Sequence, residues 1–89
     1  MGTAGIKIKI MPSSPEINLE EIEQKAKAIV EEKGGKNRDY IVEEVAFGLK
    51  SLTVFFELSE DIEPSVIEDS LKTIEGVGST QITDMRRLM

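Results

Sequence analysis

Ile6, Ile8 and Ile10 alternate with Lys7 and Lys9 near the start of the chain. That period of two predicts a strand over residues 5–11 with one buried and one wet face. Pro12 to Pro15 should break it and swing the chain round. Leu19, Ile22, Ala26, Ile29 and Val30 then follow at spacings of three, four, three and one, which gathers them into one apolar helical stripe. Asn18 with Glu21 three residues on is a variant of the capping box and opens this helix. Glu21–Lys25 and Glu23–Lys27 add favourable i,i+4 pairs on its outer face. Gly34-Gly35 should end it, because glycine enters the left-handed region without penalty.

Two strands follow, over about residues 38–46 and 49–58, with a turn near Phe47-Gly48. In the second, Leu52, Val54, Phe56 and Leu58 line one face, and Thr53, Phe55 and Glu57 the other. Pro64 suits the first turn of a second helix, whose apolar face is Ile67, Leu71 and Ile74 and which Gly76 ends. Val77 to Arg86 reads as a last, less regular strand, with Ile82 its best core candidate. The order βαββαβ is the split β-α-β pattern of an α+β ferredoxin-like sandwich. Right-handed crossovers then put both helices on one face of a four-stranded antiparallel sheet in the order 4-1-3-2. Strands 1 and 2 run one way and strands 3 and 4 the other. The Phe47-Gly48 turn and the Arg86-Arg87 segment therefore fall at opposite ends of the sheet, about 20–30 Å apart.

Eighty-nine residues are room for one domain and one core. The chain has no cysteine and no histidine. It therefore has no disulfide or thiolate metal site, and it lacks the commonest metal ligand and general base. A formal charge of −6 argues against broad binding to a phosphate backbone and favours a basic partner surface. No run has the length of a signal peptide's apolar core or a membrane span, so a cytoplasmic location is expected. Met1-Gly2 does not make a myristoylation signal, since Ile6 stands where that pattern needs Ser or Thr. Glu43, Glu44 and Asp84 are not assigned to a metal, and no cofactor is expected. Outer strands that should be short and charged favour a monomer.

Four segments carry a resemblance: Ile10-Met-Pro-Ser-Ser-Pro15, Glu43-Glu-Val-Ala-Phe-Gly-Leu-Lys50, Ile74-Glu-Gly-Val77 and Thr83-Asp-Met-Arg-Arg-Leu-Met89. In this order and over nearly the whole chain they resemble the archaeal translation elongation factor 1-beta family. The resemblance implies that residues 1–89 form one guanine-nucleotide exchange domain acting on the GTPase elongation factor 1-alpha. It also implies an exchange factor with no covalent chemistry of its own. Phe47, with Gly48 and Leu49, matches the aromatic turn that in the family docks on a β-barrel domain of the GTPase. Arg86, Arg87 and Leu88 match the basic segment that reaches the nucleotide domain near its Mg²⁺ site. Arg87-Leu88 fits the family's basic-leucine pair, with arginine for lysine and Met89 beyond it.

The rival reading from another class is an RNA-recognition-type module, which shares βαββαβ and reads bases with aromatics on its central strands. Phe55 near Lys7 and Lys9 would serve it. Strand 1 offers no aromatic, however, and the net charge has the wrong sign.

Overall fold

Alternating isoleucines make the central strand, and the helices are laid over them. In the computed structural model, which describes residues 2–45 and 48–87, the elements are β1 (Thr3–Pro12), α1 (Leu19–Glu32), β2 (Lys36–Glu44), β3 (Lys50–Ser59), α2 (Pro64–Lys72) and β4 (Val77–Arg87). The sheet order is β2-β3-β1-β4, with every neighbouring pair antiparallel. This is the expected 4-1-3-2 order read from the other edge, and the fold is ferredoxin-like.

The core lies between the sheet and the helices. β1 contributes Ile6, Ile8 and Ile10, and β3 contributes Leu52, Val54, Phe56 and Leu58. Ile22, Ala26 and Val30 of α1, Ile67 and Leu71 of α2, and Ile74 just beyond α2 close over them. Ile29 and Ile82, expected inside, are half-buried against the rim of this cluster. For Ile82 the reason is its place on an edge strand, which has a neighbour on one side only.

Local chemistry sets the element ends. The Asn18 side chain accepts the N–H of Glu20 at 2.9 Å, one residue earlier than a capping box would have it. At the other end of α1, Gly35 N–H donates to Val30 C=O (2.8 Å) and Gly34 N–H to Glu31 C=O (3.1 Å). That pair of bonds is a Schellman motif, and Gly34 takes the φ of +90° that it requires. Pro64 opens α2 at a position where its missing N–H costs nothing. Pro12, expected to break β1, is instead its last residue and pairs with Val77.

The edge strands differ from expectation in length. At nine and eleven residues they are not short, so brevity gives no ground for a monomer. Both carry irregularities. On β2, Arg38 is the additional residue between the pairs Asn37↔Phe56 and Asp39↔Phe55. On β4, Thr83 is additional between Ile82↔Ile8 and Asp84↔Lys7. Each is a bulge, where one strand fits an extra residue against its neighbour and changes which face the following side chains take.

A polar cluster ties α1 to β2. The Tyr40 hydroxyl donates to Asn37 Oδ1. Asn37 Nδ2 donates to the Lys27 carbonyl and to Glu31 Oε2, both at 3.2 Å. Lys27 Nζ stands 5.1 Å from the Tyr40 ring centroid and 3.1 Å from Glu23 Oε2. Burial of the phenol, then the carboxylates of Glu23 and Glu31, push its pKa well above the usual tyrosine value.

Two measurements check this account. Ile8→Ala should lose about 2–4 kcal/mol in urea unfolding, because a wholly buried side chain leaves a cavity. Tyr40 is the only tyrosine, so phenolate absorbance titrates it alone. Its folded midpoint should lie above the ordinary value of about 10 and return there in denaturant. Below that pH both states hold the proton and the stabilisation is complete. As pH rises through the folded midpoint, the unfolded chain ionises first and stability falls.

Candidate functional site

The β2–β3 hairpin closes with the Val45 N–H donating to the Leu49 carbonyl at 2.9 Å. A short hairpin connection commonly ends on a left-handed position. Gly48 fills that position at φ +78°. Phe47, the expected anchor, lies outside the described residues. Leu49 is half-buried and Gly48 exposed. Beside them a groove of about 470 Å³ is lined by Pro12, Pro15, Leu19, Val42, Gly48 and Lys50. Val42 faces the helix side through its pairing with Leu52, yet it is 49% exposed. The hairpin thus presents apolar surface that the helices do not cover.

The basic segment sits at the other end of the sheet. Arg87 pairs with Ala4, while the hairpin-proximal end of β3 pairs Leu52 with Ile10. Six residues of β1 separate these points, about 20 Å along the strand. Arg86 and Arg87 leave the sheet on opposite faces. Arg86, opposite Gly5, turns to the open face, where its Nε lies 3.0 Å from Asp84 Oδ2. Arg87, opposite Ala4, turns to the helix side, where its Nε donates to Glu60 Oε2 at 2.6 Å. The Arg86 and Arg87 side chains are 77% and 73% exposed. A groove of about 340 Å³ runs beside Arg87, lined by Ala4, Ile62, Pro64 and Met85 among others. Leu88 lies outside the described residues. Nothing in the local pattern around residue 60 singles out Glu60, because a loop residue's partner on a distant strand leaves no periodic signal.

The open face of the sheet gathers Lys7, Asp39, Ile41, Thr53, Phe55, Asp84 and Arg86 around a hollow of about 380 Å³. Phe55 is the one aromatic there among the described residues, and Lys7 Nζ stands 5.6 Å from its ring centroid. Asp39 and Asp84 set negative charge beside it. Base stacking needs several open rings and a basic surround, so this face fits RNA poorly. Among the described residues, no group of three His, Cys, Asp or Glu could hold a metal ion. No helix among them is long and apolar enough to cross a membrane.

Residues 5–88 match the family model described as the EF-1 guanine nucleotide exchange domain. The chain belongs to that family. It is 38% identical over 88 residues to "Elongation factor 1-beta" of Methanococcus vannielii, covering 96% of this chain and 97% of the relative. It is 36% identical over 90 residues to the protein of the same name from Methanothermobacter thermautotrophicus, with both chains covered completely. Among solved structures, the C-terminal domain of the MgtC protein from Mycobacterium tuberculosis matches with a TM-score of 0.70. It does so at 10% identity, over 97% of this chain and 88% of that one. At that identity the likeness speaks for the ferredoxin-like fold alone.

The hairpin geometry carries its own prediction. Among the described residues, and leaving aside its chain neighbours, no atom lies within 4 Å of a Cβ built on Gly48, so there Gly48→Ala meets no clash and costs only its left-handed backbone. It should cost roughly 1–2 kcal/mol in thermal or denaturant unfolding, and Gly48→Asn less, since asparagine tolerates that region.

Proposed function

We propose that this protein promotes exchange of GDP for GTP on elongation factor 1-alpha, bridging two parts of that GTPase with the two ends of its sheet. Phe47, Gly48 and Leu49 dock on a β-barrel domain. Arg86, Arg87 and Leu88 reach the nucleotide domain, with Arg87 directed at the Mg²⁺ and phosphate site. Residues 1–89 act as one exchange domain, a cytoplasmic monomer that makes no covalent bond with its partner. The observation that carries this reading is the placement of two highly exposed arginines at the end of the sheet opposite the hairpin, in a chain of the exchange-domain family. A separation of about 20 Å is too great for one small ligand and suits one large protein.

The physics of exchange follows from charge. Mg²⁺ offsets the negative phosphates and helps to hold the loops around them. A guanidinium brought beside that site competes with the metal for the same oxygens and loosens GDP without breaking a covalent bond. The vacant site then fills with the more abundant nucleotide. The factor must bind the empty GTPase more tightly than the loaded one, because only differential affinity shifts an equilibrium. Arginine keeps its charge at any working pH and can contact two oxygens in a plane.

The test is stopped-flow release of a fluorescent GDP analogue from the GTPase across a range of factor concentrations. Phe47→Ala should raise the half-saturating concentration about 30-fold, the equivalent of about 2 kcal/mol for an interface aromatic. It should leave the saturated rate and the fold intact. Arg87→Ala should lower the saturated rate by roughly tenfold, about 1.4 kcal/mol of barrier, while binding persists through the hairpin. Arg87→Lys should recover part of that loss, as charge is kept and the planar fork is not. A steering charge would behave differently, altering the association rate and fading with salt. Parent-like saturated rates for both Arg86→Ala and Arg87→Ala would defeat the mechanism.

A further inference from the structure

The β3–α2 connection carries Glu60 to the end of the sheet where β1 begins and β4 leaves. Its N–H donates to the Gly2 carbonyl at 3.0 Å. Its carboxylate lies so close over Gly2 that a Cβ there would stand 2.3 Å from Oε1. The other oxygen, Oε2, accepts the Arg87 Nε–H at 2.6 Å. The two side chains are unequally open to solvent, 27% for Glu60 and 73% for Arg87. The carboxylate is therefore the seated member of the pair and the guanidinium the presented one. The contact uses Nε, the inner nitrogen of the fork, which leaves the outer amino groups for oxygen atoms of an approaching partner.

We propose that Glu60 is a positioning residue for Arg87, aiming its guanidinium from the helix side of the sheet edge; the inference rests on the exchange role given to Arg87 above. Two simpler accounts of the pair fail. An exposed ion pair contributes little to stability, so the contact does not explain how the fold is held. A carboxylate beside the nucleotide site would, as a bare charge, repel phosphate. What the contact does supply is restricted torsion. An unheld arginine spreads over three staggered wells at each sp³ torsion, so releasing one or two of them dilutes the aligned arrangement about three- to ninefold. Gly2 belongs to the same device, because a side chain at that position would push the carboxylate off its seat.

The experiment uses the full chain with Glu60→Ala, Glu60→Gln, Arg87→Ala and the Glu60→Ala/Arg87→Ala double variant. The readouts are GDP release from the GTPase at saturating factor, the half-saturating concentration, thermal unfolding, and the Arg87 Nε–H resonance of the free factor. Glu60→Ala should leave unfolding and half-saturation near the parent and lower the saturated rate about three- to ninefold. It should also move the Nε–H resonance and speed its exchange with water. Glu60→Gln, which keeps an acceptor oxygen, should recover part of the rate. In the Arg87→Ala background, Glu60→Ala should change nothing further. A Glu60→Ala rate equal to or above the parent beside a slow Arg87→Ala overturns this proposal alone. So does an equal loss in both backgrounds, which would mean that Glu60 acts without Arg87. Arg87→Ala at the parent rate overturns the exchange role of Arg87 and this proposal with it.

Discussion

The antiparallel pairing of β1 with β3 sets Ile6, Ile8 and Ile10 beside Phe56, Val54 and Leu52, and the other elements are arranged to keep that row dry. All six side chains are fully buried. At about 25 cal/mol per Å² of apolar surface removed from water, such a row is a large favourable term for a chain of this size. It dictates that both helices lie on one face, since the opposite face of the same strands carries Lys7, Lys9, Thr53 and Phe55. It also makes β1 and β3 the central strands. The edges fall to β2 and β4, whose charged and half-exposed side chains could not have filled the middle.

The placement of the two candidate segments is a by-product of that constraint. With β1 and β3 antiparallel in the centre, the β2–β3 hairpin must emerge at one end and β4 must finish at the other. The rigid sheet between them fixes their spacing. The side-chain pairs at the arginine end are weak ones, Arg86 with Asp84 and Arg87 with Glu60. Surface pairs of this kind add little to stability. The interior supplies the stability, and the pairs at the ends orient side chains rather than hold the fold.

Charge is divided in the same way. The chain as a whole carries −6, yet the end of β4 presents two adjacent arginines. An acidic body discourages non-specific association with nucleic acid. The field of these local cations reaches only a Debye length, about 8–10 Å.

Alternation at Ile6–Ile10 and Leu52–Leu58, the helical stripe from Leu19 to Val30, and the punctuation by Pro64, Gly34 and Gly76 determined the elements, their order and their pairing. Each of those signals is local, and each has a single packing solution once one face must be buried. The exchange-domain family was legible too, in four short segments that include the hairpin and the last strand. The direction in which each arginine points was not. Counted by strict alternation from Ile82, Arg86 would fall on the helix side and Arg87 on the open face. The extra residue at Thr83 reverses this, so that Met85 and Arg87 face the helices and Arg86 faces the open sheet. A bulge of this kind is settled by how an edge strand meets its neighbour: Ile82 stands opposite Ile8 and Met85 opposite Ile6, with three steps on one strand against two on the other. The contact of Arg87 with Glu60, twenty-seven residues away in the chain, depends on the same reversal. Only the assembled tertiary structure, in which β3 and β4 end together on either side of β1, could decide it.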